Sequence, residues 1–211
     1  MMNQIPDVVI LRLPTYTRVL ALLEDRGVET INSEELGGYL RGTPAQIRKD
    51  LSYFGKFGKQ GRGYNVKHLL EQLRRILGLD KEWKMILVGV GHLGHAIAGY
   101  EGFSSQGFQV VAAFDTDANI VGSSIGKLVI RDVAEVEQSI EVMNIRIAIL
   151  AVPADKAQEV ADMLVRSGIK AILNYAPTSV RVPQGIWVRN IDPVVALQST
   201  TYYLSALPAG E

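Results

Sequence analysis

The chain contains no cysteine. That absence excludes disulfides, thiolate metal sites and thiol-based redox sensing, and it suits a cytoplasmic protein. Long apolar runs are missing as well. No stretch reaches the roughly 18 apolar residues of a membrane span. The first residues carry no signal-peptide pattern, because acidic Asp7 precedes only a short apolar stretch. Histidine is scarce, and His68, His92 and His95 are the three present. No metal-ligand spacing, nucleophile elbow or carboxylate pair accompanies them, so neither a metal nor a membrane is expected as a partner. Net charge is absent too, with 22 Lys/Arg against 22 Asp/Glu.

That zero conceals an uneven distribution. Residues 1–82 hold 13 basic and 10 acidic side chains, whereas 83–211 hold 9 and 12. Between Arg41 and Arg75, nine cations face only Asp50 and Glu71. A basic segment in a neutral chain points to a local polyanion site. A solvated, lysine-rich surface would give the same count. The 211 residues suffice for one large domain or two small ones.

The first part of the chain reads as helices. Val8, Leu11, Val19, Leu22 and Leu23 recur at helical spacing, and Pro14 is expected to kink or break that run. Asn32 and Glu35 stand at capping-box spacing before a short helix to Leu40. Gly42 is expected to make the turn. Thr43 then caps the next helix, with Pro44 at its first position. Two helices joined by a short glycine-containing turn look like a helix-turn-helix. In projection, Ile47, Leu51 and Phe54 share one side of the later helix. Ala45, Lys49 and Ser52 lie opposite, flanked by Gln46, Arg48 and Tyr53. Small, basic and hydrogen-bonding residues on one face suit a major-groove reader, and an ordinary surface helix has a similar pattern. Next, Gly55–Tyr64 mixes four glycines with Lys56, Lys59 and Arg62, which fits the basic hairpin wing of a winged helix. Asn65 caps a helix over 66–77.

The second part alternates. Strands are predicted at 84–88, 109–114, 127–130, 145–150, 171–174 and 186–189, with helices at 91–100, 132–140, 155–167 and 193–206. The apolar run Ile145–Val152 indicates a strand buried on both faces, as in a parallel, doubly wound sheet. Lys84–Val88 leads directly into Gly89-Val90-Gly91-His92-Leu93-Gly94, and Asp115 follows 21 residues after Gly94. Strand, G-x-G-x-x-G turn, helix and a later acid form the dinucleotide fingerprint. Gly89 permits the tight turn, Gly91 lets the backbone approach a pyrophosphate, and Gly94 lets the helix pack closely. Asp115 is expected to accept from ribose hydroxyls and to favour NADH over NADPH.

Arg48-Lys49-Asp50-Leu51-Ser52-Tyr53-Phe54-Gly55, the wing ending Gly63-Tyr64, the glycine fingerprint, Leu173-Asn174-Tyr175-Ala176-Pro177 and Asn190-Ile191-Asp192 occur in this order. Together they resemble the redox-sensing transcriptional repressor (Rex) family over essentially the whole chain. The resemblance implies a winged-helix domain over 1–78, a Rossmann NAD(H)-binding domain over 79–190 and a domain-swapped dimerisation helix over 191–211. It implies a homodimer that binds inverted-repeat operator DNA, with NADH lowering and NAD+ permitting that binding. The chain departs from the family at Gln60, where a basic residue is usual, at Arg62, where an apolar one is usual, and at Pro193.

The expected cofactor contacts are Gly89, Val90, Gly91, His92, Leu93, Gly94, Asp115, Thr116, Val152, Pro153, Asn174 and Tyr100. Expected DNA contacts are Gln46, Arg48, Lys49, Ser52, Tyr53, Lys56, Lys59 and Arg62. By resemblance, Arg18 and Tyr100 compete for Asp192 in an allosteric swap. No histidine is placed as a catalytic acid, so ligand sensing is preferred to turnover. Two other readings stay open: a small NAD-linked or CoA-binding enzyme subunit, and a DNA-binding protein whose Rossmann fold serves only dimerisation.

Overall fold

The computed structural model describes residues 5–59 and 63–205, with the backbone alone at Lys59. The chain divides into two compact units, Met1–Lys81 and Glu82–Glu211.

The first unit contains α1 (Asp7–Asp25), β1 (Thr30–Ile31), α2 (Ser33–Leu40), α3 (Pro44–Ser52), β2 (Gly58–Lys59), β3 (Gly63–Asn65) and α4 (Val66–Ile76). Its strands form an antiparallel sheet in the order β1-β3-β2. Hairpin β2–β3 is the wing that the glycines foretold; β1, only two residues long, has no sequence periodicity to announce it. The caps follow the expected chemistry. Asn32 Oδ1 accepts from Glu35 N–H while Glu35 Oε2 accepts from Asn32 N–H. Thr43 Oγ1 accepts from Gln46 N–H, and Asn65 Oδ1 from His68 N–H. Each such cap stabilises its helix by about 1 kcal/mol.

Two expectations are corrected here. Pro14 neither breaks nor ends α1, which runs through it. Burial decides this: Val9, Leu13, Tyr16, Leu20 and Leu23 face the core, and each fully buried aliphatic contributes about 1.5–3 kcal/mol, enough to offset one lost backbone bond. Val8, Leu11 and Leu22 lie instead on the exposed side. The α2–α3 turn does not rely on Gly42. Arg41 takes the left-handed conformation, at φ 52°. Gly37 is the glycine the turn requires, because a Cβ there would stand 2.6 Å from the Gly42 carbonyl oxygen.

The second unit contains β4 (Trp83–Val88), α5 (His92–Ala98), β5 (Phe108–Asp115), β6 (Ser124–Ile125), β7 (Leu128–Asp132), α6 (Val136–Met143), β8 (Ile147–Leu150), α7 (Ala154–Arg166), β9 (Ala171–Asn174), β10 (Trp187–Asn190) and α8 (Pro193–Ser205). The sheet order is β10-β9-β8-β4-β5-β7-β6, parallel except for the β6–β7 pair. This is the doubly wound order, with the switch point between β4 and β8. Ile86, Val88, Ala148 and Leu150 point to one packed face; Met85, Leu87 and Ile149 point to the other. Period-two alternation with both faces apolar explains the near-continuous hydrophobic runs.

Candidate functional site

The carboxyl ends of the strands build the first site. Beyond each strand, the ladder continues by one backbone bond. Gly89 N–H donates to Phe114 O, Ala151 N–H to Val88 O, Tyr175 N–H to Leu150 O and Ile191 N–H to Asn174 O. These bonds set Gly89, Ala151, Tyr175 and Ile191 in a row along one edge of the sheet.

A cleft of about 1080 Å³ opens at this edge. Gly89, Gly91, His92, Leu93, Asp115, Thr116, Val152 and Pro153 line it. The three fingerprint glycines differ in what they permit. Gly89 has φ +94°, and a Cβ on it would collide with the Ala151 carbonyl. Gly94 packs α5 onto the turn, since its Cβ would collide with the Gly89 carbonyl oxygen. Gly91 has no neighbour within 4 Å of its Cβ position, so its surroundings stand open.

Asp115 ends β5 with its carboxylate engaged. Oδ1 accepts from Thr116 N–H at 2.7 Å and from Asp117 N–H at 3.0 Å. Oδ2 accepts from Val90 N–H at 2.7 Å. The acid therefore braces the glycine turn from the neighbouring strand. A carboxylate oxygen has two lone pairs, so Oδ2 retains the capacity for one further donor.

Four expected cofactor residues do not line the cleft. Val90 and Gly94 are buried, the first with its side chain in the core. Tyr100 is 62% exposed and stacks edge-on against Phe103. Asn174 lies as deep as any of the four. It is fully buried: its amide donates to Thr178 O at 2.7 Å and Asn190 Oδ1 at 2.9 Å, while its Oδ1 accepts from Ala176 N–H. With those partners, it shapes the loop that carries Tyr175 and Pro177, which do line the cleft. Burial first, and then nearby Tyr100, pushes the Tyr175 phenol above its ordinary range. Sequence reading missed the face of α7 in the cleft: Lys156, Glu159, Val160 and Met163. Their spacing of three and four was the available signal.

The second site lies on α3. Ile47, Asp50 and Leu51 are buried, while Arg48, Lys49 and Ser52 are exposed and Gln46 and Tyr53 half-buried. Arg48 donates to Ser33 Oγ at 2.9 Å, and Ser52 Oγ to the Lys49 carbonyl. Lys56 is exposed just before the wing. Arg62 and the side chain of Lys59 lie outside the described residues, as does Gln60.

Asp50, one of the two acids counted in the basic segment, has a placement that the sequence does not announce. It is buried, and it pairs with Arg12 through two bonds of 2.7 and 2.6 Å and with Tyr16 Oη at 2.6 Å. Burial alone would push its carboxyl up. The bonds from Arg12 and Tyr16 outweigh burial and hold it below the usual carboxylate range. The cationic face is therefore undiluted by this acid.

Comparison with known proteins follows the same division. The family model described as "CoA binding domain" matches residues 80–178, and "Putative DNA-binding protein N-terminus" matches residues 4–52. A redox-sensing transcriptional repressor Rex of Roseiflexus sp. (strain RS-1) is 54% identical over 97% of this chain and 93% of its own. That of Chloroflexus aurantiacus (strain ATCC 29366 / DSM 635 / J-10-fl) is 56% identical over 95% and 94%. The chain belongs to the Rex family.

Solved Rex-family structures agree in fold. RSP in complex with β-NAD+ and operator DNA superposes with a TM-score of 0.92, at 42% identity, over 96% of this chain and 94% of that one. RSP in complex with β-NADH gives 0.88 at 40% identity, over 96% and 95%. Rex relatives are thus named as repressors, not as enzymes. Among the described residues of this Rex-family chain, no His/Cys/Asp/Glu group could hold a metal and no helix is long and apolar enough to cross a membrane.

Proposed function

We propose that this chain is a homodimeric transcriptional repressor that reads the cytoplasmic NADH/NAD+ balance. In this reading it binds an inverted-repeat operator, and NADH releases it. One observation carries the proposal. A winged helix with an exposed cationic face on α3 shares a chain with a dinucleotide cleft at a topological switch point. The repressor names of its relatives, and the operator DNA, β-NAD+ and β-NADH held by RSP, support it.

The cleft residues fit a nicotinamide dinucleotide, whose two redox forms supply the signal. Gly91 leaves room for a pyrophosphate, which the N–H groups of His92 and Leu93 would meet. Asp115 Oδ2 would accept from a ribose hydroxyl, and its charge would repel a 2′-phosphate. Thr116, Val152 and Pro153 would complete the contacts, and Gly89, Val90, Gly94 and Asn174 would act by shaping the walls. On DNA, Gln46, Arg48, Lys49, Ser52 and Tyr53 would face the major groove or its phosphates. Lys56, Lys59 and Arg62 would serve the wing.

Helix α8 supports the dimer. None of its described residues is buried, yet Val194, Val195, Leu197, Tyr202, Tyr203 and Leu204 are all exposed. A helix with apolar side chains around its whole circumference calls for a cover, and a second copy of the chain supplies one. Asp192 stands at its start, with Oδ1 accepting from Val194 N–H. Arg18 on α1 and Tyr100 after α5 would take turns as its partner, linking cofactor state to DNA affinity. An electrophoretic shift of an inverted-repeat duplex, with and without NADH, tests the reading. A complex that forms alone and dissolves with NADH is expected. A chain that shifts no duplex overturns it.

A further inference from the structure

Asp50 is a buried acid in the middle of the segment read as DNA-binding. It lies between Lys49 and Leu51 on α3 and is 2% exposed. Its partners come from one face of another helix. Arg12 and Tyr16 are four residues apart on α1, so their side chains project together. Arg12 Nε and Nη2 donate to the two separate oxygens of the carboxylate, and Tyr16 Oη donates to Oδ2. A two-pronged guanidinium bond fixes the orientation of a carboxylate as well as its position. The aspartate side chain is short, so a fixed carboxylate in turn fixes the rotation of α3 about its axis.

The backbones offer no strong substitute for this link. α1 packs chiefly along α4, and α3 chiefly along α2. The two share the apolar core through Ile47 and Leu51, and apolar contact is not directional. Successive residues of a helix point about 100° apart. A rotation of α3 would turn Lys49 and Ser52 by the same angle as Asp50, so a fixed carboxylate holds their aim.

We infer that Asp50 is a positioning residue for operator recognition: Arg12 and Tyr16 grip it, and the grip sets the rotation of α3 and the aim of Lys49 and Ser52. The inference rests on the reading of α3 as the DNA-reading helix. It makes α1 and α3 one lever, and α1 also carries Arg18 two residues beyond Tyr16.

A double-mutant cycle on the full-length chain tests it. The probes are a duplex operator recovered by selection from a random-sequence library and an unrelated duplex of equal length. Tyr16→Phe removes one hydroxyl and keeps the packing. Arg12→Lys keeps the charge and loses the fork. Thermal unfolding establishes that each variant is folded at the assay temperature. Each is expected to lose about tenfold in operator affinity, with affinity for the unrelated duplex within about twofold of the parent. Lys49→Ala should cost roughly tenfold in the parent and less than about twofold in the Tyr16→Phe background, because a misaimed Lys49 has little left to lose. Additive effects overturn the inference, as does a folded variant with parental operator affinity. Unfolding of both variants makes the triad a stability element alone and also overturns it. A parent that selects no duplex overturns the functional reading and this inference together.

Discussion

Asp115 Oδ2 accepts the Val90 N–H at 2.7 Å, so the acid that ends β5 braces the glycine turn that follows β4. This brace is superimposed on the proposed bond to a ribose hydroxyl. Asp115→Ala should lower NADH affinity by roughly tenfold or more, because a bond to a charged acceptor contributes about 1.5–3 kcal/mol. NADPH should bind the parent far more weakly than NADH. No Lys or Arg follows in Thr116-Asp117-Ala118-Asn119 to accept a 2′-phosphate. Calorimetric titration of both dinucleotides checks this, and equal affinities would refute it.

The three fingerprint glycines should respond differently to alanine. Gly89→Ala and Gly94→Ala place a Cβ against a backbone carbonyl and should destabilise the second unit. At Gly89 the positive φ adds about 1–3 kcal/mol. Gly91→Ala meets no protein atom within 4 Å, so the chain should melt like the parent and yet bind NADH poorly. Thermal unfolding paired with an NADH titration separates the cases. A Gly91→Ala chain with parental NADH affinity would place the pyrophosphate elsewhere.

The Arg12–Asp50 pair gives the first unit an acid-labile component. The folded-state pKa of Asp50 lies below its unfolded value of about 3.9. Its stabilisation is therefore fully present above that unfolded value and is lost as pH falls through the folded one. Asp50→Asn lacks this component. The stability gap between parent and Asp50→Asn should shrink as pH drops from about 5 toward 2. Melting curves of the two chains across that range should converge; a constant gap contradicts the pairing.

On the DNA side, Lys49→Ala should lower operator affinity by about 1–3 kcal/mol, the cost of one base-edge contact. Arg62→Ala should weaken binding evenly across sequences and flatten the salt dependence by about one counterion. Anisotropy titrations at several salt concentrations distinguish the two. If neither change alters operator binding, α3 and the wing are not the reading elements.

For the coupling, Arg18→Ala and Asp192→Ala should each blunt the NADH-induced loss of operator affinity. Titrations of both variants against the operator, with and without saturating NADH, check this. If both variants keep the full loss, this pair does not carry the signal and the swap is abandoned.

What the sequence made legible was local. Gly89, Gly91 and Gly94 stand at fixed spacing between a strand and a helix, and Asn32, Thr43 and Asn65 cap the helices that follow them. Each rests on interactions within a few residues. What stayed hidden depends on distant partners. The burial of Asp50 was hidden because Arg12 lies 38 positions away. Asn174 looked like a ligand contact, yet its amide bonds to Asn190 across 16 positions. Pro14 was expected to disrupt α1, but the burial that outweighs it is a tertiary property. The α7 wall of the cleft was hidden because its face is defined only once β8 and β9 are in place.

Cofactor identity in one unit is expected to set operator affinity in the other. Release of a fluorescent operator duplex should be titrated with NADH at several fixed concentrations of NAD+. NADH is expected to release the duplex, with a midpoint that rises in proportion to NAD+, as for two ligands sharing one cleft. Full retention of the duplex at saturating NADH, or a midpoint indifferent to NAD+, would contradict it.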